Sequence, residues 1–252
     1  MNLQCGDCLS LMKDIPDKSI DMILCDLPYG VTNNKSDIVI PFEPLWNQYE
    51  RIVKDNGAIC LFAQGIFYVD LVNSNRKYFR YDLIWDKQLV TGFLNAKRMP
   101  MRRHEQICVF YKKPPVYHPQ FTEGKPQHSA GTKEKGSQVV NRNYGSYGYA
   151  GNERAGNTLK YPTSILSFQK PHPSIAKHRT EKPIDLLEYL IRTYTNENDT
   201  VLDNCMGAGG TGVACVHTGR NFIGMEINEI YFTIAKERIE DSICLQKQRE
   251  LC

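Results

Sequence analysis

An acidic residue ends a buried strand at three places in the chain, and two of these are followed by residues suited to chemistry. The first is the block Asp26–Tyr29, which reads Asp-Leu-Pro-Tyr after an apolar run. The second is Asp203, which precedes a glycine-rich loop at 204–212. Glu226 closes the next apolar run. A glycine loop between a strand and a helix is typical of a nucleotide or cofactor site.

The glycine loop allows two cofactor classes, and the acidic residue before it separates them. Gly207, Gly209 and Gly212 have the spacing of a dinucleotide site, and Glu226 could bind a ribose, so an NAD-dependent oxidoreductase is one alternative. Asp203 argues against it, because a carboxylate at this position would repel a pyrophosphate. S-adenosylmethionine has a cationic amino group and no phosphate. The loop therefore favours S-adenosylmethionine.

The turn after the first strand has the groups needed to activate an amine. An exocyclic amine on a nucleobase is a poor nucleophile, because its lone pair is delocalised into the ring. Hydrogen bonds from its N–H groups to the Asp26 carboxylate and the Leu27 carbonyl would free that lone pair, and the Tyr29 ring offers a face for stacking. The structural alternative is a proline turn with an aromatic residue packed beside it.

Strands alternate with helices at both ends of the chain, which predicts an α/β fold with a doubly wound, mixed and mostly parallel sheet. From Lys112 to about Lys160 this periodicity disappears, which indicates either a disordered linker or a binding insertion without regular structure, and the tyrosine and arginine content favours the insertion. The helix at 45–54 is predicted to stop at a cap formed by Asn56-Gly57. The other predicted elements are strands at 21–26, 57–62, 81–85, 106–111, 200–203 and 221–226, and helices at 183–192, at 213–216 and from about 229.

Charge is divided unevenly along the chain. The 31 basic and 28 acidic residues leave a net charge of only +3, but residues 76–182 hold 20 basic and 7 acidic residues. Such clustering is typical of nucleic-acid binding, although a solvated surface would explain it equally well. Nine scattered cysteines, without a second pair to complement Cys5-x-x-Cys8, predict reduced thiols and no metal. With neither a signal peptide nor a membrane-length apolar run visible, a cytoplasmic protein is expected.

Together these blocks resemble the β-class amino-methyltransferases of DNA, in which the Asp-Pro-Pro-Tyr block precedes the glycine-rich block. This order is a circular permutation of the usual one. The resemblance covers nearly the whole chain and implies a Rossmann-like S-adenosylmethionine-dependent methyltransferase fold, circularly permuted. The matching segments are Gly6–Leu9, Asp26–Tyr29, Trp85, Gly92–Ala96, His104-Glu105, His178–Pro183, Asp203–Gly209 and Gly224–Glu226.

The resemblance also implies roles for individual residues. Asp26, Leu27, Pro28 and Tyr29 would form the catalytic turn that holds the target amine. The cofactor-binding residues would be Asp7 and Cys8 against adenine, Thr180 and Lys182 at the methionine carboxylate, and Asp203, Gly207, Gly209 and Glu226 around the rest. The chain departs from the family pattern at Leu27, where proline is commoner, and at Asn204-Cys205 and Gly210, where Pro-Phe and threonine are frequent.

The predicted function is site-specific DNA methylation, by direct SN2 transfer from S-adenosylmethionine to N6 of a flipped adenine, without a metal. The Asp-x-Pro-Tyr block resembles the adenine form; the alternatives are a cytosine-N4 enzyme and, more remotely, a methyltransferase of RNA or of protein glutamine. The predicted partner is double-stranded DNA, its phosphates held by Lys97, Arg98, Arg102 and Arg103.

Three parts of the chain are expected. These are a catalytic half at 1–113, a target-recognition insertion at 114–160 and a cofactor-binding half at 161–252. The enzyme is expected to be of the phage or restriction-modification type, as a monomer or homodimer, and a cognate restriction endonuclease is a further candidate partner.

Overall fold

A computed structural model describes residues 1–31, 37–126, 138–141, 145–149, 158–171 and 181–250. The strands in this part of the chain are β1 Asn2–Cys5, β2 Ile20–Cys25, β3 Val53–Ala63, β4 Phe79–Thr91, β5 Arg102–Phe110, β6 Thr122–Glu123, β7 Gln138–Asn141, β8 Gly145–Tyr149, β9 Leu159–Lys160, β10 Ile165–Ser167, β11 Thr200–Asp203 and β12 Asn221–Glu226.

Eight of these strands form one twisted sheet in the order β1-β12-β11-β2-β3-β5-β4-β10. All neighbours are parallel except β5, which runs antiparallel to both β3 and β4. The prediction of a mixed, mostly parallel sheet is therefore confirmed. β3, which follows β2 in the chain, lies on one side of β2, whereas β12, which follows β11, lies on the opposite side of β11. The direction of winding therefore reverses between β2 and β11.

Helices cover both faces of the sheet, because alternate residues of the buried strands are apolar on both sides. In β2, Ile23 and Cys25 pack on one side, whereas Met22 and Leu24 pack on the other. The helices on the first side are α1 Cys8–Leu11, α2 Phe42–Ile52 and α3 Ile66–Ser74, and those on the second are α4 Ile184–Tyr194, α5 Gly210–Thr218 and α6 Glu229–Glu250.

The predicted helix cap at Asn56-Gly57 is wrong. The helix α2 ends at Ile52, and Asn56 and Gly57 lie inside β3. The pairing of β2 with β3 shifts register here, and a Cβ on Gly57 would lie 2.8 Å from the backbone oxygen of Asp21. The glycine therefore permits a close approach of two strands at a bulge, rather than ending a helix.

Residues 119–162 form a separate compact unit. The expectation that this region lacks regular structure needs correction, because β6 pairs with β9 and β7 pairs with β8, both antiparallel. The rings of Phe121 and Tyr161 lie 5.0 Å apart between centroids. These four strands have only two to five residues each, too few to show a clear period-2 pattern, which is why the sequence did not predict them.

The eight cysteines among the described residues are free thiols, as the sequence predicted. Within the same part of the chain, no helix combines the length and apolar character that a membrane span requires.

Substitution of Gly209 is expected to cost stability for two reasons. Its φ is +77°, and a Cβ there would lie 3.0 Å from Cα of Ala235, a backbone atom of α6 that cannot move aside. We expect Gly209→Ala to lower the free energy of unfolding by about 2–4 kcal/mol in urea titrations. Gly219 is a matched control, since its backbone is left-handed too, with φ of +72°, but the nearest atom to a Cβ there would be Cγ of Glu197 at 3.9 Å. Gly219→Ala should cost only about 1–2 kcal/mol, from backbone strain alone.

Candidate active site

The predicted carboxylates are brought together at one edge of the sheet. Asp26 follows β2, Asp203 ends β11 and Glu226 ends β12, and these three strands are adjacent and parallel. Their carboxyl ends therefore share an edge. The reversal of winding between β11 and β2 opens a crevice at this edge, which is where open α/β sheets bind their ligands.

A cleft lies in this crevice, with about 510 Å³ of empty space when the solvent at its mouth is included. Both predicted blocks contribute to it, although 177 positions separate Asp26 from Asp203 in the chain. Its lining includes Asp26, Phe62, Lys182, Asp203, Gly207 and Thr211.

Asp203 presents a buried carboxylate to the cleft. It is 4% exposed, and it accepts hydrogen bonds from the Thr211 hydroxyl at 2.6 Å and from the backbone N–H of Cys205 at 3.1 Å. Burial raises the pKa of Asp203 to about 6, because few other groups compensate for the lost water. Its charge would be better balanced by a cationic ligand.

Glu226 is held in one orientation by backbone amides. Its Oε2 accepts from the N–H of Gly207 at 2.9 Å, and its Oε1 accepts from the N–H of Asn228 at 2.8 Å. Burial raises the pKa of Glu226, and these amides oppose that effect. Because Gly207 belongs to the loop after Asp203, the two acidic residues are held in a fixed relation.

Asp26 receives one donor on each carboxylate oxygen. The Tyr29 hydroxyl donates to Oδ1 at 2.8 Å, and the Lys182 ammonium donates to Oδ2 at 2.5 Å. Burial and the negative charge of Asp26 raise the pKa of Tyr29, so the phenol stays neutral and remains a donor. The Tyr29 ring stacks on Phe67 at 4.8 Å, which leaves at most its other face for a base.

Lys182 joins Asp26 to a second buried carboxylate. Its Nζ lies 3.3 Å from Oε2 of Glu105, and Nζ of Lys87 lies 3.3 Å from Oε1 of the same residue. The result is a chain of alternating charge, Asp26–Lys182–Glu105–Lys87. The ring of Phe62 lies 4.9 Å from the Lys182 ammonium and covers it.

Electrostatics within this chain favour the charged forms. Burial opposes ionisation of Glu105, but Lys182 and Lys87 outweigh it, and the pKa of Glu105 is lowered. Burial would also neutralise Lys182, but Asp26 and Glu105 raise its pKa. Oε2 of Glu105 lacks a partner with hydrogen-bond geometry among the described residues, so its approach to Lys182 is electrostatic.

Glu105 and Lys87 were not predicted from the sequence to have a role in the site. A signal for them exists, because Glu105 alternates with Ile107 and Val109 along β5, and Lys87 alternates with Trp85 along β4. A charged residue that continues a buried apolar face at period 2 is an expected place for a paired, functional charge. The predicted contact of Lys182 with a methionine carboxylate stays a prediction, since its ammonium lies against Asp26 and Glu105.

The remaining predicted cofactor residues lie nearby or outside the described residues. Asp7 caps α1 by accepting from the N–H of Ser10 at 2.9 Å. Cys8 is buried, and its Sγ lies 3.6 Å from Nδ2 of Asn204. β1, which precedes both, pairs parallel to β12, so they also lie at this edge. Thr180 belongs to the segment 172–180, which the structure does not describe.

The predicted catalytic turn and the predicted phosphate-binding residues differ in exposure. Leu27 is 3% exposed and packs in the core on the α1 side, whereas Pro28 is partly buried. Lys97, Arg98 and Arg102 are exposed. Arg103 forms a two-pronged pair with Asp86, at 2.8 and 2.9 Å, so it would have to share its guanidinium with a phosphate.

Comparison with known proteins agrees with this geometry. A family model for N6 and N4 methyltransferases, described as DNA methylase, matches residues 20–237. The chain belongs to this DNA methylase family. The type II methyltransferase M.HpaI of Haemophilus parainfluenzae is 28% identical over 94% of this chain and 74% of its own. The DNA adenine methyltransferase YhdJ of Escherichia coli K12 is 26% identical over 93% and 81%.

Solved structures of DNA methylases have the same fold. The M1.HpyAVI complex with S-adenosylmethionine matches with a TM-score of 0.64 and 23% identity, over 94% of this chain and 98% of its own. The cytosine-N4-specific PvuII methyltransferase matches with a TM-score of 0.66 and 14% identity, over 96% and 90%. The Rossmann-like methyltransferase fold expected for this methylase is therefore confirmed, and an NAD-dependent oxidoreductase is no longer a candidate.

Proposed function

We propose that this DNA methylase is site-specific and transfers a methyl group from S-adenosylmethionine to N6 of adenine in double-stranded DNA. The observation that carries the proposal is that Asp26, held by Tyr29 and Lys182, and Asp203, held by Thr211, line one cleft. The first carboxylate is placed for an amine substrate and the second for a cationic cofactor. A partner restriction endonuclease and a cytoplasmic location stay predictions.

The described residues fit S-adenosylmethionine, the methyl donor of this family. When bound, it supplies an electrophilic methyl group on a sulfonium. Asp203 would attract its amino group, because none of the described residues forms an ion pair with this buried carboxylate. Glu226, fixed by Gly207, would accept from the ribose hydroxyls. A phosphate-bearing cofactor would meet both negative charges and be repelled.

The catalytic turn would hold the amine for attack. Asp26 is a fixed acceptor, since the Tyr29 hydroxyl and the Lys182 ammonium occupy one site on each of its oxygens. Its remaining lone pairs can accept an N–H of the amine. With the Leu27 carbonyl as a second acceptor, this favours a pyramidal nitrogen with a free lone pair. The target base must leave the duplex to reach the cleft.

Adenine is proposed over cytosine because of the Asp-Leu-Pro-Tyr block. The similar proteins include both kinds of enzyme, since YhdJ is named an adenine methyltransferase and the PvuII enzyme is named cytosine-N4-specific. The test is to methylate a random duplex library, digest it and identify the modified nucleoside by mass. We expect N6-methyldeoxyadenosine, whereas N4-methyldeoxycytidine would contradict the proposal. Methylation-aware sequencing of the same library gives the recognised site.

Cofactor affinity is expected to fall in acid. Because the pKa of Asp203 is raised to about 6, its carboxylate is mostly ionised at pH 7.5 and mostly protonated at pH 5.5. Loss of this charge should weaken S-adenosylmethionine binding about fourfold between the two pH values, measured by calorimetry. Asp203→Asn should bind weakly at both pH values. An equal acid dependence in this variant would show that another group titrates.

A further inference from the structure

The turn between β4 and β5 carries two apolar side chains that are almost fully exposed. Phe93 is 80% exposed and Leu94 is 97% exposed, and they are adjacent in the chain. Met99 and Met101, on the same connection, are 50% and 40% exposed. Scattered exposed apolar residues are ordinary, but two large neighbours at the end of a projecting turn indicate a contact surface.

Backbone hydrogen bonds hold this turn in a defined shape. The N–H of Asn95 donates to the Gly92 oxygen at 2.9 Å, and the N–H of Ala96 donates to the Phe93 oxygen at 3.0 Å. Gly92 adopts φ of +89°, which only glycine adopts without strain. The two side chains are therefore presented by a preorganised backbone, which lowers the entropy lost on binding.

The turn lies beyond the same edge of the sheet as the cleft, the edge formed by the carboxyl ends of β2 and β4. β4 runs parallel to β2, and through the intervening strands Asp82 lies level with Cys25, next to Asp26. From Asp82 the strand continues to Thr91, which pairs with Arg102, six residues along β5 from the partner of Asp82; at about 3.3 Å per residue the turn therefore lies roughly 20 Å beyond the edge. A duplex that delivers a base into the cleft would lie at this height.

The charge around the turn indicates what kind of partner it binds. Lys87 and Arg103 are paired with Glu105 and Asp86, but residues 88–102 between them contain three further basic residues and no acidic residue. Lys97, Arg98 and Arg102 are exposed there. Two copies of this surface would repel each other, whereas a polyanion would be attracted. Apolar side chains flanked by cations match a nucleic acid, whose base steps are apolar and whose backbone is anionic.

We propose that Phe93 and Leu94 form a wedge that enters the base stack of duplex DNA beside the target and stabilises the duplex after the base is flipped. Lys97, Arg98 and Arg102 bind the flanking phosphates. The inference rests on the proposed function, because a flipped base is needed only if the target lies in a duplex. Apolar side chains that enter a base step take the place of the base that has left the stack.

The test compares two duplexes that carry the site found by sequencing the methylated library. In one the target is paired, and in the other it lies opposite an abasic residue, which removes most of the cost of flipping. We expect the double variant Phe93→Ser/Leu94→Ser to methylate the paired duplex at least about tenfold more slowly, the equivalent of 1.4 kcal/mol, and the abasic duplex within about twofold of wild type. Leu94→Met should retain most activity on both.

Controls separate a wedge from other uses of the turn. Lys97→Ala should weaken binding to both duplexes alike, because phosphate contacts do not depend on base pairing. Leu245→Ser, at a 57% exposed position on α6, should change neither rate. Equal losses on both duplexes, no loss on either, or conversion of a dimer to a monomer in sedimentation would overturn the wedge. If the wild-type chain methylates no DNA, the proposed function itself fails.

Discussion

Replacement of Asp26 by asparagine is expected to reduce kcat for methyl transfer at least about 10²- to 10³-fold. The amide retains the shape of the side chain but loses the charged acceptor. The Lys182 ammonium, 2.5 Å from Oδ2 in the native protein, would meet a neutral group, and the substrate N–H would lose its strongest acceptor. Single-turnover methylation with labelled S-adenosylmethionine measures the effect.

Measurements of cofactor and DNA binding distinguish a loss of catalysis from a loss of folded structure. Asp26→Asn should bind S-adenosylmethionine and DNA within a few fold of wild type, because Asp203 and the basic residues are unchanged. Asp70→Asn is a matched control, since Asp70 is an exposed carboxylate on α3. It should retain full activity. Retained methyl transfer in Asp26→Asn would refute the assignment of this carboxylate.

Removal of Lys182 is expected to produce the second large effect. Lys182→Met leaves two partly buried carboxylates, Asp26 and Glu105, without the cation that lies between them. The pKa of Glu105, which this ammonium helps to lower, rises in the variant. Since Glu105 deprived of this cation keeps a proton to higher pH, the acid limb of the pH–rate profile should move upward, and kcat at pH 7 should fall at least about 100-fold.

A second substitution makes this expectation specific. Glu105→Gln in the Lys182→Met background removes the repulsion between the two carboxylates, so the acid limb should return toward that of the wild type. A role of Lys182 in packing alone would leave the acid limb in place in both variants. Lys54→Met is a control at a lysine that pairs with Asp21 away from the cleft, and it should leave the pH profile unchanged.

Local pattern was sufficient to predict the fold class and the residues of both blocks. Apolar runs ending in Asp26, Asp203 and Glu226 predict strands, and the parallel arrangement that places their ends at one edge follows from the alternation with helices. The charge of Asp203 before the glycine loop was sufficient to predict the cofactor class, because Coulomb repulsion of a pyrophosphate depends on residue type more than on exact position. These inferences need only neighbours in the chain.

The environment of Asp26 was decided by tertiary structure alone. Lys182 is 156 positions from Asp26, and nothing in its neighbourhood distinguishes it from a surface lysine before a helix. Glu105 and Lys87 meet because Glu105 on β5 pairs with Trp85 on β4, and Lys87 lies two residues beyond Trp85, on the same side of that strand. Ion pairs between distant segments depend on register and burial, which a local sequence pattern does not encode. The same holds for Asn56-Gly57, where the approach of β2 decided between a cap and a bulge.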